Sequence, residues 1–125
     1  MFSWIARWRK TDIRKLIIIG IGYSSHNLSK ALLAAGGYQI IAYIDEEPWN
    51  HLNRMNGAKI HYPSELLALT KKHRVDGILR FEGEGWQPDS GCLIALKKLS
   101  ADDIVLNGLL TPDEQISVIG QYLSR

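Results

Sequence analysis

The sequence predicts a single three-layer α/β domain, with a parallel sheet in the order 3-2-1-4-5 and helices on both faces. Three observations carry this. Branched apolar runs alternate with segments of helical periodicity. The runs are continuous rather than alternating, as in strands covered on both faces. The first run leads into the next segment through Gly20-Ile21-Gly22. Strand–helix alternation of this kind implies parallel strands joined by right-handed crossovers.

The elements follow in chain order. Residues 16–19 are an unbroken branched run and form the first strand. Leu28, Ala31, Leu32 and Ala35 recur at helical spacing, and Gly36-Gly37 ends that helix. Residues 39–44 make the second buried strand. Residues 45–53 are polar, contain Pro48 and read as a loop. Asn56-Gly57 marks a turn before a short strand at 58–61. Pro63-Ser64-Glu65 opens a helix running to about His73. Residues 75–81 are a third strong strand, and 82–88 a glycine-containing loop. Asp89 or Ser90 caps a helix through Leu99, and 103–106 is the last strand, ended by Asn107-Gly108. Thr111, Pro112 and Glu114 compose a capping box for a final helix carrying Ile116, Ile119 and Leu123 on one face.

Composition narrows the function classes. The chain is 46% hydrophobic and 22% charged over 125 residues, which suits one ordinary globular domain. Cys92 is the only cysteine, so no internal disulfide forms, and the lone thiol fits a reducing cytoplasm. Charge is uneven. Residues 1–15 hold Arg7, Arg9, Lys10, Arg14 and Lys15 against Asp12 alone, a net of +4, and the remainder carries −2. A mildly acidic body lacks the basic face that duplex nucleic acid requires, so no nucleic-acid partner is expected. The basic leader, residues 1–14, places Met1, Trp4, Ile5 and Trp8 on one side of a short helix. It is read as packing on its own domain or on a second copy in a homodimer, with peripheral membrane contact through Trp4 and Trp8 as the alternative. It has no apolar run long enough for a signal peptide or a span.

The glycine turn and one acid carry the chemistry. Gly20 permits a sharp turn, and Gly22 has no side chain to keep a phosphate off the backbone. The amides of Tyr23, Ser24 and Ser25 then face an anion from a helix start. Ser24 and Ser25 add hydroxyls, and either is a candidate cap. Ser25 stands where a third glycine is usual in dinucleotide turns, and its small size still permits close helix–strand packing. Asp45, 25 residues after Gly20, ends the second strand. A carboxylate there accepts hydrogen bonds from an adenosine ribose and repels a 2′-phosphate, favouring NAD or an adenine nucleotide such as ATP or AMP over NADP. The alternative is that the glycines serve a tight turn and Asp45 merely caps the following loop.

Other candidates are weaker. Phe81, at the end of the fourth strand, is expected to border a base or nicotinamide. Arg80, Glu82 and Glu84 lie near it, and Trp49 and Trp86 flank the crevice loops. His26 follows the phosphate turn. His51, His61 and His73 show no metal spacing, so no metal site is expected, and Cys92 reads as core. No catalytic set stands out: there is no Gly-x-Ser-x-Gly and no Walker A sequence.

The run KLIIIGIGYSSHNLSKALLAAGGYQIIAYIDEEPWNHLNRMNGAKIHYPSELLALTKKHRVDGIL resembles the Rossmann-like nucleotide-binding subdomain of polysaccharide-biosynthesis nucleotide-sugar epimerase/dehydratases and related CoA-binding-like domains. The shared features are the turn at Gly20 and Gly22, the acidic strand end at Tyr43-Ile44-Asp45, Asn56-Gly57, the Pro63 helix and Val75-Asp76-Gly77. The resemblance implies that Gly20, Gly22 and Asp45 contact a nucleotide. In that family the catalytic Tyr-x-x-x-Lys belongs to a separate domain, and this chain contains no such motif. The expectation is therefore a stand-alone nucleotide-binding module of regulatory or sensory type. The alternatives are a small NAD-dependent oxidoreductase or nucleotide-sugar-modifying enzyme, and a ligand-free assembly module.

Overall fold

The computed structural model describes residues 13–123, so the leader expected at 1–14 lies almost wholly outside the described residues. The order is β1 (Arg14–Ile19), α1 (Tyr23–Ala35), β2 (Tyr38–Ile44), a 3₁₀ turn (Pro48–Asn50), β3 (Arg54–Met55), β4 (Ala58–His61), a second 3₁₀ turn (Pro63–Glu65), α2 (Leu66–His73), β5 (Gly77–Phe81), α3 (Ser90–Lys98), β6 (Asp102–Leu106) and α4 (Pro112–Leu123). The sheet runs β3-β4-β2-β1-β5-β6. Its five longer strands are parallel and take the expected order, while β3 adds an antiparallel edge through Arg54 and Met55. The sequence reading missed this edge, a two-residue hairpin arm folded back by Asn56 and Gly57, both at positive φ.

Side-chain parity along β1 shows why its run is unbroken. Leu16 and Ile18 enter one core with Leu28 and Leu32 of α1 and Ile119 and Leu123 of α4. Ile17 and Ile19 enter the other, with Leu66 of α2 and Leu96 of α3. All four β1 residues are at most 1% exposed, so a polar residue at any of them would be buried against apolar neighbours. Burying each such chain stabilises the fold by about 1.5–3 kcal/mol. Gly77 sits where β5 passes between the flanking strands; a Cβ there would come within 3.2 Å of Leu16 Cδ2 and 3.3 Å of Ile104 Cδ1.

The helix ends mostly follow the sequence signals. Asp89 caps α3, accepting from the Cys92 amide at 2.8 Å. Thr111 and Glu114 exchange hydrogen bonds at the start of α4, at 2.9 and 3.2 Å. The start of α1 departs from expectation: its cap is Gly22, with no side-chain hydrogen bond, so neither Ser24 nor Ser25 caps it. Because β1 lies between β2 and β5, the carboxyl ends of β1 and β5 flank the switch-point crevice, with β2 on one side and β6 on the other.

Candidate functional site

The turn after β1 is built for close packing below and open approach above. Gly20 holds φ +101°, which a side chain resists, and donates its amide to Ile44 O at 2.8 Å. A Cβ on Gly20 would stand 3.4 Å from Ser25 Oγ. Ser25 is 2% exposed, so its hydroxyl fills the space under the turn rather than reaching a ligand. Ser29 Oγ donates to Ser25 O at 2.6 Å, and Tyr43 OH donates to Ser29 Oγ at 2.7 Å, tying the first turn of α1 to β2 through buried groups. Gly22 has ordinary extended backbone, and a Cβ there would meet nothing within 4 Å. The uncapped amides of Tyr23, Ser24 and Ser25 thus begin α1 at a surface clear of side chains from Gly22 itself. Such a helix start attracts anions.

A carboxyl group lies beside this helix start. Ser24 Oγ donates to Glu84 Oε2 at 3.3 Å, and a Cβ on Gly108 would strike the same oxygen at 2.6 Å. Glu84 belongs to the loop after β5, between Gly83 and Gly85, both at positive φ. That loop comes close to the turn: a Cβ on Gly85 would lie 3.6 Å from Gly20 Cα. The loop is held rather than loose. Gln87 Nε2 donates to the carbonyls of Glu84 at 2.7 Å and Phe81 at 3.3 Å. Arg80 donates to Gln87 Oε1 and grips Asp103 with two bonds of 2.8 and 3.0 Å. Hydrogen bonding to Asp103 raises the Arg80 pKa further, against the opposing effect of burial. Arg80 is therefore committed to Asp103 and does not face the phosphate turn.

Phe81 does not line the crevice as the sequence suggested. It is 1% exposed and sits in the core with Leu79, Leu106 and Ile119, because its parity on β5 turns it inward. Tyr23 is 82% exposed beside the turn. Asp45 serves its own loop through one oxygen: Oδ2 accepts from Asn50 Nδ2 at 2.9 Å and from the Glu47 amide at 3.2 Å. Its Oδ1 has no partner among the described residues. Loop capping and a ribose contact are thus compatible roles for one carboxylate.

Space lies on the other side of the turn from Asp45. A cavity of about 220 Å³ opens between Ser24 and Asn27 of α1 and Gly108, Leu110 and Gln115. A wider hollow of about 520 Å³ is bounded by Glu82, Glu84, Asn107, Gly108 and Leu109. Both touch Gly108, so they flank the strand end beside Glu84. Trp86 packs on the core of the α2–α3 face, and Trp49 is 73% exposed. Cys92 is partly buried against that same core, and burial pushes its thiol pKa up, with Asp89 and Asp103 adding to the effect.

One cluster escaped sequence reasoning. His51 Nε2 and His61 Nδ1 each lie 2.6 Å from an oxygen of Glu65. Partial burial pushes the Glu65 carboxyl up, but hydrogen bonds from His61 and His51 outweigh it and bring it down to about 2. The residues are separated by 10 and 4 positions, and only the β3–β4 hairpin brings them together.

No family model and no curated protein matches the chain. Among solved structures, UDP-D-quinovosamine 4-dehydrogenase from Vibrio fischeri superposes with TM-score 0.62 at 25% identity, covering 84% of each chain. The Rex-family repressor RSP in complex with β-NADH gives TM-score 0.59 at 11% identity, over 96% of this chain and 65% of that one. The same repressor has been solved with β-NAD⁺ and operator DNA. Staphylococcus aureus homoserine dehydrogenase gives TM-score 0.53 at 13% identity, over 89% of this chain and 30% of the other. The chain thus spans somewhat under two thirds of the NADH-bound repressor and under a third of the homoserine dehydrogenase. These likenesses establish a Rossmann-type fold.

Proposed function

We propose that this domain binds NAD(H), with a regulatory or sensory role. The diphosphate rests on the start of α1 over Gly22, the adenosine ribose on Asp45, and the nicotinamide end in the hollows around Gly108. The observation that carries this reading is the start of α1, which has no side-chain cap and stands one strand from the β2 end that bears Asp45. A dinucleotide suits this layout better than ATP or AMP, because space continues past the turn toward β6. Asp45 with Glu46 and Glu47 disfavours a 2′-phosphate. The NADH-bound repressor of like fold supports the choice of ligand.

Calorimetry with NADH, NAD⁺, NADPH, ATP, AMP, CoA and UDP-sugars tests this. NADH is expected to bind, and Asp45→Ala to weaken it. Absence of heat and of a melting shift with either form of NAD at millimolar concentration overturns the reading.

The likeness to the UDP-sugar dehydrogenase favours a second reading, a part in oxidising or remodelling a nucleotide-linked sugar. Reduction of NAD⁺ by the protein on addition of a UDP-sugar, lost in Glu82→Gln, separates it from the first.

A further inference from the structure

We propose that His51, His61 and Glu65 form a binding site for a divalent transition-metal ion of the zinc class. One ligand atom from each lies within 4.8 Å of the other two. The three come from separate elements: His51 follows the first 3₁₀ turn, His61 ends β4, and Glu65 ends the second 3₁₀ turn. Two imidazoles and a carboxylate suit zinc, cobalt or nickel, whereas calcium and magnesium prefer oxygen ligands throughout.

The ligands are held from outside. The His51 ring stacks on Tyr62 at 3.9 Å and 7°. Glu65 Oε1 accepts the Tyr62 amide at 3.2 Å. His61 is fixed by the pairing of β4 with β2, where it stands opposite Ile44. The imidazole–carboxylate distances of 2.6 Å are those of hydrogen bonds. Ligands about 2.0–2.1 Å from a tetrahedral ion stand roughly 3.3 Å apart, so the imidazole–carboxylate contacts must lengthen by about 0.7 Å and the widest ligand pair close by up to about 1.5 Å, which side-chain rotation supplies. The ion takes the place of the imidazole–carboxylate hydrogen bonds, each ring ligating as neutral imidazole with its proton on the other ring nitrogen. The three side chains are 17–33% exposed, so an ion can enter and water can complete its shell.

The site lies beside the adenosine end of the crevice. Asn50 precedes His51 and donates to Asp45, and the Asp45 amide donates to His61 O at 3.0 Å. A bound ion therefore clamps the 48–53 loop and steadies Asp45. That consequence rests on the nucleotide reading, but metal binding itself does not.

The test is titration of the metal-free protein with Zn²⁺ by calorimetry and with Co²⁺ by visible absorption, both without nucleotide. One equivalent should bind, with cobalt showing the strong bands of a four-coordinate site. His51→Ala and His61→Ala should each weaken binding at least tenfold, and the triple variant His26→Ala, His73→Ala, Cys92→Ser should bind as the parent does. To guard against misfolding, the imidazole ¹⁵N resonances of the unmodified protein should shift for His51 and His61. Zn²⁺ binding no tighter than millimolar, binding unaffected by the His51 and His61 variants, or shifts confined to His26 and His73 would each overturn the proposal.

Discussion

Replacing Glu84 with glutamine should tighten NADH binding. In the ligand-free domain the Glu84 carboxylate sits 3.3 Å from Ser24 Oγ, at the helix start assigned to the diphosphate. A ligand diphosphate carries two negative charges and must either displace this carboxylate or sit beside it. At roughly 5 Å in a water-like dielectric, each charge pair costs about 0.8 kcal/mol, and salt reduces the total for two to about 1 kcal/mol. Removing the carboxylate also abolishes its own attraction to the helix start, about 0.3–1 kcal/mol that the ligand must otherwise overcome. The two costs are alternatives, so the gain is about 0.3–1 kcal/mol, or roughly a twofold to fivefold lower Kd. Calorimetry of parent and Glu84→Gln at 20 mM and 1 M salt measures this directly. The gain should shrink toward onefold at high salt, where charges are screened within ~3 Å. Equal or weaker NADH affinity in Glu84→Gln at low salt, with an unchanged melting point, refutes the competition.

Gly20→Ala should lower stability by about 1–2 kcal/mol, because its φ of +101° resists a side chain, and a denaturant melt reads the loss. Gly22→Ala should leave the melt nearly unchanged, since a Cβ there meets nothing within 4 Å, yet weaken NADH binding by obstructing the diphosphate. Asp45→Asn should reduce NADH affinity by about 1.5–3 kcal/mol through loss of charged hydrogen bonds to the ribose, and narrow the preference over NADPH; competitive titration checks both. The Glu114 pKa is lowered from the ordinary 4.5 by hydrogen bonds from the backbone and then the side chain of Thr111, so its contribution is present above pH 4.5 and fades as pH falls below it. Melts of Glu114→Gln from pH 3 to 7 should be less pH-dependent than the parent's.

The parallel core was legible because burial on both faces leaves a strand no polar position, and β1, β2 and β5 read as plain apolar runs. The same property hid side-chain direction. A strand buried on both sides shows no alternation, so nothing in the sequence said that Phe81 turns into the core while Arg80 faces the opposite layer. Gly20, Gly22 and Asp45 were legible as a turn and a strand end because spacing along one crossover determines them locally. Ser25 was legible only as a small residue; its hydroxyl lies beneath Gly20, which requires the folded turn to see. Glu84 and the His51–His61–Glu65 trio depend on loop paths set by positive-φ residues and a hairpin. Their neighbours are distant in sequence, and periodicity carries no information about them.

The Gln87 side chain has a consequence beyond holding one loop. It hooks the loop beside the Gly20 turn to Arg80, and Arg80 is anchored by Asp103 on the layer where α3 packs. Through this chain of bonds, the position of the loop beside Gly20 is set by side chains from the two neighbouring strands β5 and β6, so Asp103→Ala, though remote from the turn, should loosen that loop.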